Sequence, residues 1–167
     1  MAERKISTRF AVEGEDQYKK SIADINVRLK TLKSELALVQ SQYAGQENSM
    51  EALTAKGKTL TSMYDAQQEK LRTAQAALQN AAAAQSQYAA QVAESQAKLQ
   101  AAQQALDEMD QAADSDAYAQ LAEQFAQYQQ ELSKAEQLQR AAERGVQNWQ
   151  QSVNYAQRDL NQLSTEI

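Results

Sequence analysis

The sequence predicts an all-α protein made of long coiled-coil helices in three heptad segments, preceded by one short β-strand. Three observations lead there. After Gly14 the apolar residues recur at alternating steps of four and three over nearly the whole chain, which is helical spacing in a seven-residue repeat. No proline occurs among the 167 residues, so nothing breaks a long helix. Ala (32) and Gln (28) dominate the composition; one is the best helix former and the other is polar, so the chain makes helices readily but fills no thick core.

The arm over residues 1–14 is the exception to the helical spacing. Ile6, Thr8, Phe10 and Val12 alternate with Lys5, Ser7, Arg9, Ala11 and Glu13, and Gly14 closes the run, the pattern of a short strand. A lone strand in a helical chain stays frayed, lies on a helix or pairs with another chain.

The first helix is expected over 15–44. Glu15 and Asp16 suit the positive helix start, and Gly45 stands where a C-terminal cap belongs. Its apolar seam is Tyr18, Ile22, Ile25, Leu29, Leu32, Leu36, Val39 and Tyr43, with no slip in the alternation. Lys19, Lys20, Arg28, Lys30 and Lys33 flank it. Such a seam exceeds what one thin neighbouring helix can cover, so self-association of the chain through these eight residues is expected.

The second helix is expected over 48–110. Asn48, with Glu51 three residues on, has the capping-box spacing. The seam runs from Met50, Leu53, Gly57 and Leu60 to Leu106 and Met109, mostly large residues in one set of layers and small or polar ones in the other. The heptad phase then breaks within Asp110–Asp116, where three acids and a serine supply turn and N-cap chemistry. The rival is one continuous helix with a skip in its heptads. The third helix, over 115–167, has the seam Tyr118, Leu121, Phe125, Tyr128, Leu132, Ala135, Gln139, Ala142, Val146, Trp149, Val153, Ala156, Leu160, Leu163 and Ile167. That seam is still in phase at the last residue, so the natural chain is expected to continue beyond Ile167 or to have been cut there.

Charge and residue chemistry narrow the function. The formal charge is −5, split between a slightly basic stretch, 1–72, with 12 basic and 10 acidic residues, and an acidic one, 73–167, with 5 and 12. With no Cys and no His there is no thiolate or imidazole metal site and no triad that needs either residue, and the four glycines form no phosphate-cradling loop. Asp107, Glu108, Asp110, Asp114 and Asp116 lack calcium-loop spacing and read as turn acids and caps. No catalytic residue, metal or cofactor is expected, and the chain is read as no enzyme. Acids interleave with the cations of the first helix, which argues against specific nucleic-acid binding. No apolar run reaches the roughly 18 residues of a membrane span, and narrow seams with Gln-rich polar faces argue against membrane-surface binding.

The block Lys5-Ile6-Ser7-Thr8-Arg9-Phe10-Ala11-Val12-Glu13-Gly14-Glu15-Asp16-Gln17-Tyr18-Lys19-Lys20, followed by Ile22-Ala23-Asp24-Ile25-Asn26, Leu32-Lys33-Ser34-Glu35-Leu36 and Asn48-Ser49-Met50-Glu51-Ala52-Leu53-Thr54-Ala55-Lys56, resembles the start of tail tape measure proteins of long-tailed phages and prophages of Gram-positive bacteria. The resemblance covers about residues 5–72; the remainder is similar only in kind to the variable coiled-coil part of such proteins. It implies a structural rod that fixes tail length while tail-tube subunits polymerise around it, with several copies side by side. Tail-tube and tail-tip proteins are the implied partners, and the virion tail, assembled in the host cytoplasm, is the implied location. The alternative is a stand-alone coiled-coil adaptor that docks a partner through an exposed seam.

Overall fold

A computed structural model describes residues 14–110 and 112–166, so the expected strand Ile6–Val12 and the last seam residue, Ile167, lie outside the described residues. The chain is all-α. Among the described residues there are three helices, α1 (Glu15–Gln42), α2 (Met50–Glu108) and α3 (Ser115–Ser164), and no strand. The helix ends follow from local chemistry. Gly14 adopts the left-handed conformation, φ 86°, that a side chain would disfavour, and its carbonyl accepts the N–H groups of Gln17 and Tyr18. At the other end of α1, Gly45 again takes a positive φ, 84°, and its N–H donates to the Glu47 carboxylate.

The cap of α2 is Ser49, not Asn48. Its hydroxyl accepts the Ala52 N–H and its carbonyl accepts that of Leu53. The N-cap hydroxyl thus reaches the third helical residue, while Glu51, one residue too early to close a capping box, acts only through its charge in the first turn. Between α2 and α3, Asp110 accepts the Ala112 N–H in a tight side-chain turn, and Asp114 caps α3 through the Ala117 N–H. Helix α2 stops at Glu108 and α3 starts at Ser115, so no continuous helix with a heptad skip crosses this segment.

The chain divides into two compact units. The first to consider holds residues 14–80 and 147–166 and is built from all three helices. Ile25 and Leu29 of α1, Leu60, Met63 and Ala66 of α2, and Leu163 of α3 form one buried cluster, flanked by Leu32, Leu36 and Tyr64. Leu71, Ala156 and Leu160 form a second, joined by Val153 and again Tyr64. Gly14 lies beside Asn80, and the Arg28 guanidinium pairs with Glu69, so α1 runs antiparallel to α2. The Gln67 amide donates to the Ala156 carbonyl and Leu163 packs with Leu60 and Met63, so α3 is antiparallel to α2 as well. Tyr18 meets Trp149 edge to face, ring centres 6.2 Å apart. In this unit α2 has two covered faces. Leu60, Gln67, Leu71 and Ala74 follow the expected seam, while Met63, Ala66 and Ala77 are buried off it, because α2 has a neighbour on each side.

The second unit holds residues 81–146, a hairpin of the rest of α2 and the first part of α3. Only one seam is covered on each helix. The buried residues of the unit are Ala81 and Ala102 on the α2 seam, Ala135 and Ala142 on the α3 seam, and Gly145 beside it, whereas the larger seam residues such as Tyr88, Leu99, Phe125 and Tyr128 stay half-buried. Small side chains let the two backbones approach, with a Cβ on Gly145 falling 3.9 Å from that of Ala81, but a single neighbour cannot enclose a leucine or a ring.

Candidate functional site

The eight residues expected to mediate self-association are the covered stripe of α1. From Asp16 to Gln42, Tyr18, Ile22, Ile25, Leu29, Leu32, Leu36 and Val39 are the residues that are not exposed, and Tyr43 is half-buried at the helix end. Their cover comes from the same chain. Ile25 and Leu29 are enclosed by α2 and α3, and Tyr18 by Trp149, so a second copy is not needed to bury the seam's centre. The expectation of too little cover rested on pairing α1 with one Ala-rich helix. The stretch of α2 facing it carries Leu60 and Met63, and α3 adds Leu163.

The seam of α2 begins differently. Met50 and Leu53 are 76% and 50% exposed, while Leu60 on the same line is 2% exposed. Val27 and Leu38 are also exposed, on the outer side of α1.

The acids between Asp107 and Asp116 serve the helix ends. Asp107 and Glu108 accept hydrogen bonds from Gln103 and Gln104, one turn back, and Asp110 and Asp114 hold backbone N–H groups. Among the described residues no three acids converge on a point that could hold a metal ion, and no helix is long and apolar enough to cross a membrane. Two carboxylates are shifted by their surroundings. The Gly45 N–H holds Glu47 below the usual carboxylate range, and the Lys98 ammonium, 2.8 Å away, does the same for Glu94 while its own affinity for a proton rises. Both sit in solvent, on a turn and on a helix face.

The three-helix unit carries a groove of about 690 Å³. Leu29, Leu36, Met63 and Leu163 contribute its apolar surface, and Lys30, Lys33, Lys70 and Arg158 its charge, with Asp159 and Glu166 as its acids. Arg158 is engaged, pairing with Asp159 at 3.1 Å and lying over the Tyr155 ring. Lys30, Lys33 and Lys70 form no ion pair with another described residue. By contrast Lys19 pairs with Glu15, and Arg28 with Glu69. The sequence gives one sign of this groove, the lysines at 30 and 33 beside the seam positions 29 and 36. Lys70 and Arg158 join them only through the packing of α2 and α3.

No family model matches the chain, and no characterised protein or solved structure is significantly similar to it.

Proposed function

We propose that this protein is a structural helical component of a phage tail, a tape measure that sets tail length and scaffolds tail-tube assembly in the host cytoplasm, and not an enzyme. One observation supports the structural part of this reading above the others. Helices of 59 and 50 residues are about 90 and 75 Å long at the α-helical rise, and their buried residues in the hairpin are alanine and glycine. Such segments give length with little girth, which suits a ruler inside a tube. The phage-tail part rests on the resemblance of residues 5–72, and a coiled-coil supercoil in the assembled tail belongs to the same proposal.

The test is co-purification. The tagged full-length chain, expressed in cells assembling the corresponding tail, is expected to retain the tail-tube protein, and in-frame removal of whole heptads from α2 and α3 is expected to shorten the tails. A chain that brings down no tube or tip protein, with tails unchanged by the deletions, overturns the reading. One observation favours a second reading, a stand-alone helical adaptor: the centre of the α1 seam, Ile25 and Leu29, is buried within its own chain. That reading expects a helical partner and no tube protein in the same purification.

A further inference from the structure

The groove in the three-helix unit and the turn between α2 and α3 have opposite charge. The groove presents three lysines that form no ion pair with another described residue, Lys30, Lys33 and Lys70, over an apolar floor that includes Leu29, Met63 and Leu163. The turn and its flanks are acidic without relief. From Leu99 to Ser133 there are seven carboxylates, Asp107, Glu108, Asp110, Asp114 and Asp116 at the turn and Glu123 and Glu131 beyond it, and not one Lys or Arg. The hairpin unit, residues 81–146, holds 10 acidic and 4 basic residues, whereas residues 14–80 and 147–166 balance at 10 of each.

We propose that the groove binds the acidic α2–α3 turn of a second copy of this chain. The turn is suited to it. All its carboxylates are exposed, and Met109, half-buried at its crest, offers an apolar side chain to the groove floor. The groove's volume falls within the range of clefts that enclose several side chains. Groove and turn are different surfaces of one chain, so the contact is heterologous; each copy that binds leaves a free groove and a free turn, and association runs on into chains of copies unless it closes into a ring. The proposal rests on charge and groove geometry and is independent of the phage-tail reading.

Sedimentation of the full chain at tens of micromolar tests it. At about 10 mM salt, where charges act over about 30 Å, the wild type is expected to associate, and at about 0.5 M salt, where screening confines them to a few ångström, to weaken by about tenfold or more. A groove variant, Lys30→Glu with Lys33→Glu, and a turn variant, Asp107→Lys with Glu108→Lys and Asp116→Lys, spare the capping Asp110 and Asp114. Each alone places like charges on groove and turn and is expected to be monomeric with wild-type helix content by circular dichroism. Mixed one to one they are expected to associate again, because the unchanged groove of the turn variant suits the unchanged turn of the groove variant and the reversed groove suits the reversed turn. A wild type that is monomeric at low salt overturns the proposal and leaves the groove to some other acidic partner. Association indifferent to salt overturns it in favour of an apolar contact such as Met50 and Leu53. A mixture of two folded variants that stays monomeric overturns it as well, and the wild-type salt series decides by itself if a variant fails to fold.

Discussion

Leu60 and Leu53 lie on one heptad line of one helix, two seam positions apart, and the structure gives them opposite fates. Leu60 is 2% exposed among Ile25, Leu29, Met63 and Leu163; Leu53 is half exposed. Replacing Leu60 by Ala removes three carbons from a closed site, about 2.4 kcal/mol at about 0.8 kcal/mol for each buried methylene. The space left among residues of three helices closes only in part and brings the cost to about 3 kcal/mol. In a chain of this size each kcal/mol moves the melting temperature by about 2–4 °C, so a fall of about 6–12 °C is expected. Leu53→Ala loses a contact already half in water and leaves no cavity; about 1 kcal/mol and a shift of about 2–4 °C are expected. Thermal unfolding followed by helix circular dichroism, with urea midpoints as a second measure, compares the two. Equal shifts would refute the packing, since they would mean either that Leu53 is enclosed or that Leu60 is not.

Ala142 is fully buried in the hairpin, so Ala142→Leu is expected to destabilise it by about 1–3 kcal/mol through overpacking, read as a lower urea midpoint; a stabilised variant would mean that the α2–α3 layers are not in close contact. Asp114→Ala removes the cap of α3 and is expected to cost about 1 kcal/mol, whereas Asp114→Asn, which still accepts the Ala117 N–H, should cost much less by the same assay. Ile25→Lys with Leu32→Lys places charge on the covered stripe of α1 and is expected to lower the melting temperature of the monomer itself, not merely its association; an unchanged melt would show that α1 packs on nothing within its chain. The Glu47 carboxylate accepts the Gly45 N–H, and its proton affinity is depressed in the folded state. Its contribution is therefore complete above the ordinary carboxylate value and is lost as the pH falls through the lower folded value. The amide resonance of Gly45 should titrate with a midpoint below 4.5, and a midpoint at or above that value counts against the bond.

The eight-residue stripe of α1 and the described part of the α3 seam were legible because a seven-residue repeat marks a single covered line, and a helix with one covered line shows it directly. Helix α2 was fully legible only where it has one neighbour; beside two, one of its two covered faces was. Met63, Ala66 and Ala77 belong to a second face that becomes covered when α1 folds back, and Met and Ala off the seam read as filler in an Ala-rich sequence. Met50 and Leu53 mark the opposite failure, since periodicity says which side could be covered and not how far a neighbouring helix reaches. The cap of α2 lies one residue beyond the expected one because Asn48 and Ser49 are both good caps, and the helix starts at Met50, directly after Ser49. The groove was nearly invisible, since its cations come from three helices and meet only in the folded unit.

Gln67 has a consequence for alignment. Seams built of repeated alanine and leucine layers look much alike from one heptad to the next, so a helix displaced by seven residues meets almost the same surface and loses little energy. A buried amide removes that indifference. In place, Gln67 is 4% exposed and its N–H bonds the Ala156 carbonyl. Moved one heptad along α3, the same amide would face the neighbourhood of Trp149 or Leu163, and an unbonded buried amide costs about 1–3 kcal/mol. The residue that adds least apolar contact to the three-helix unit thus separates the correct alignment of α2 and α3 from its nearest imitations.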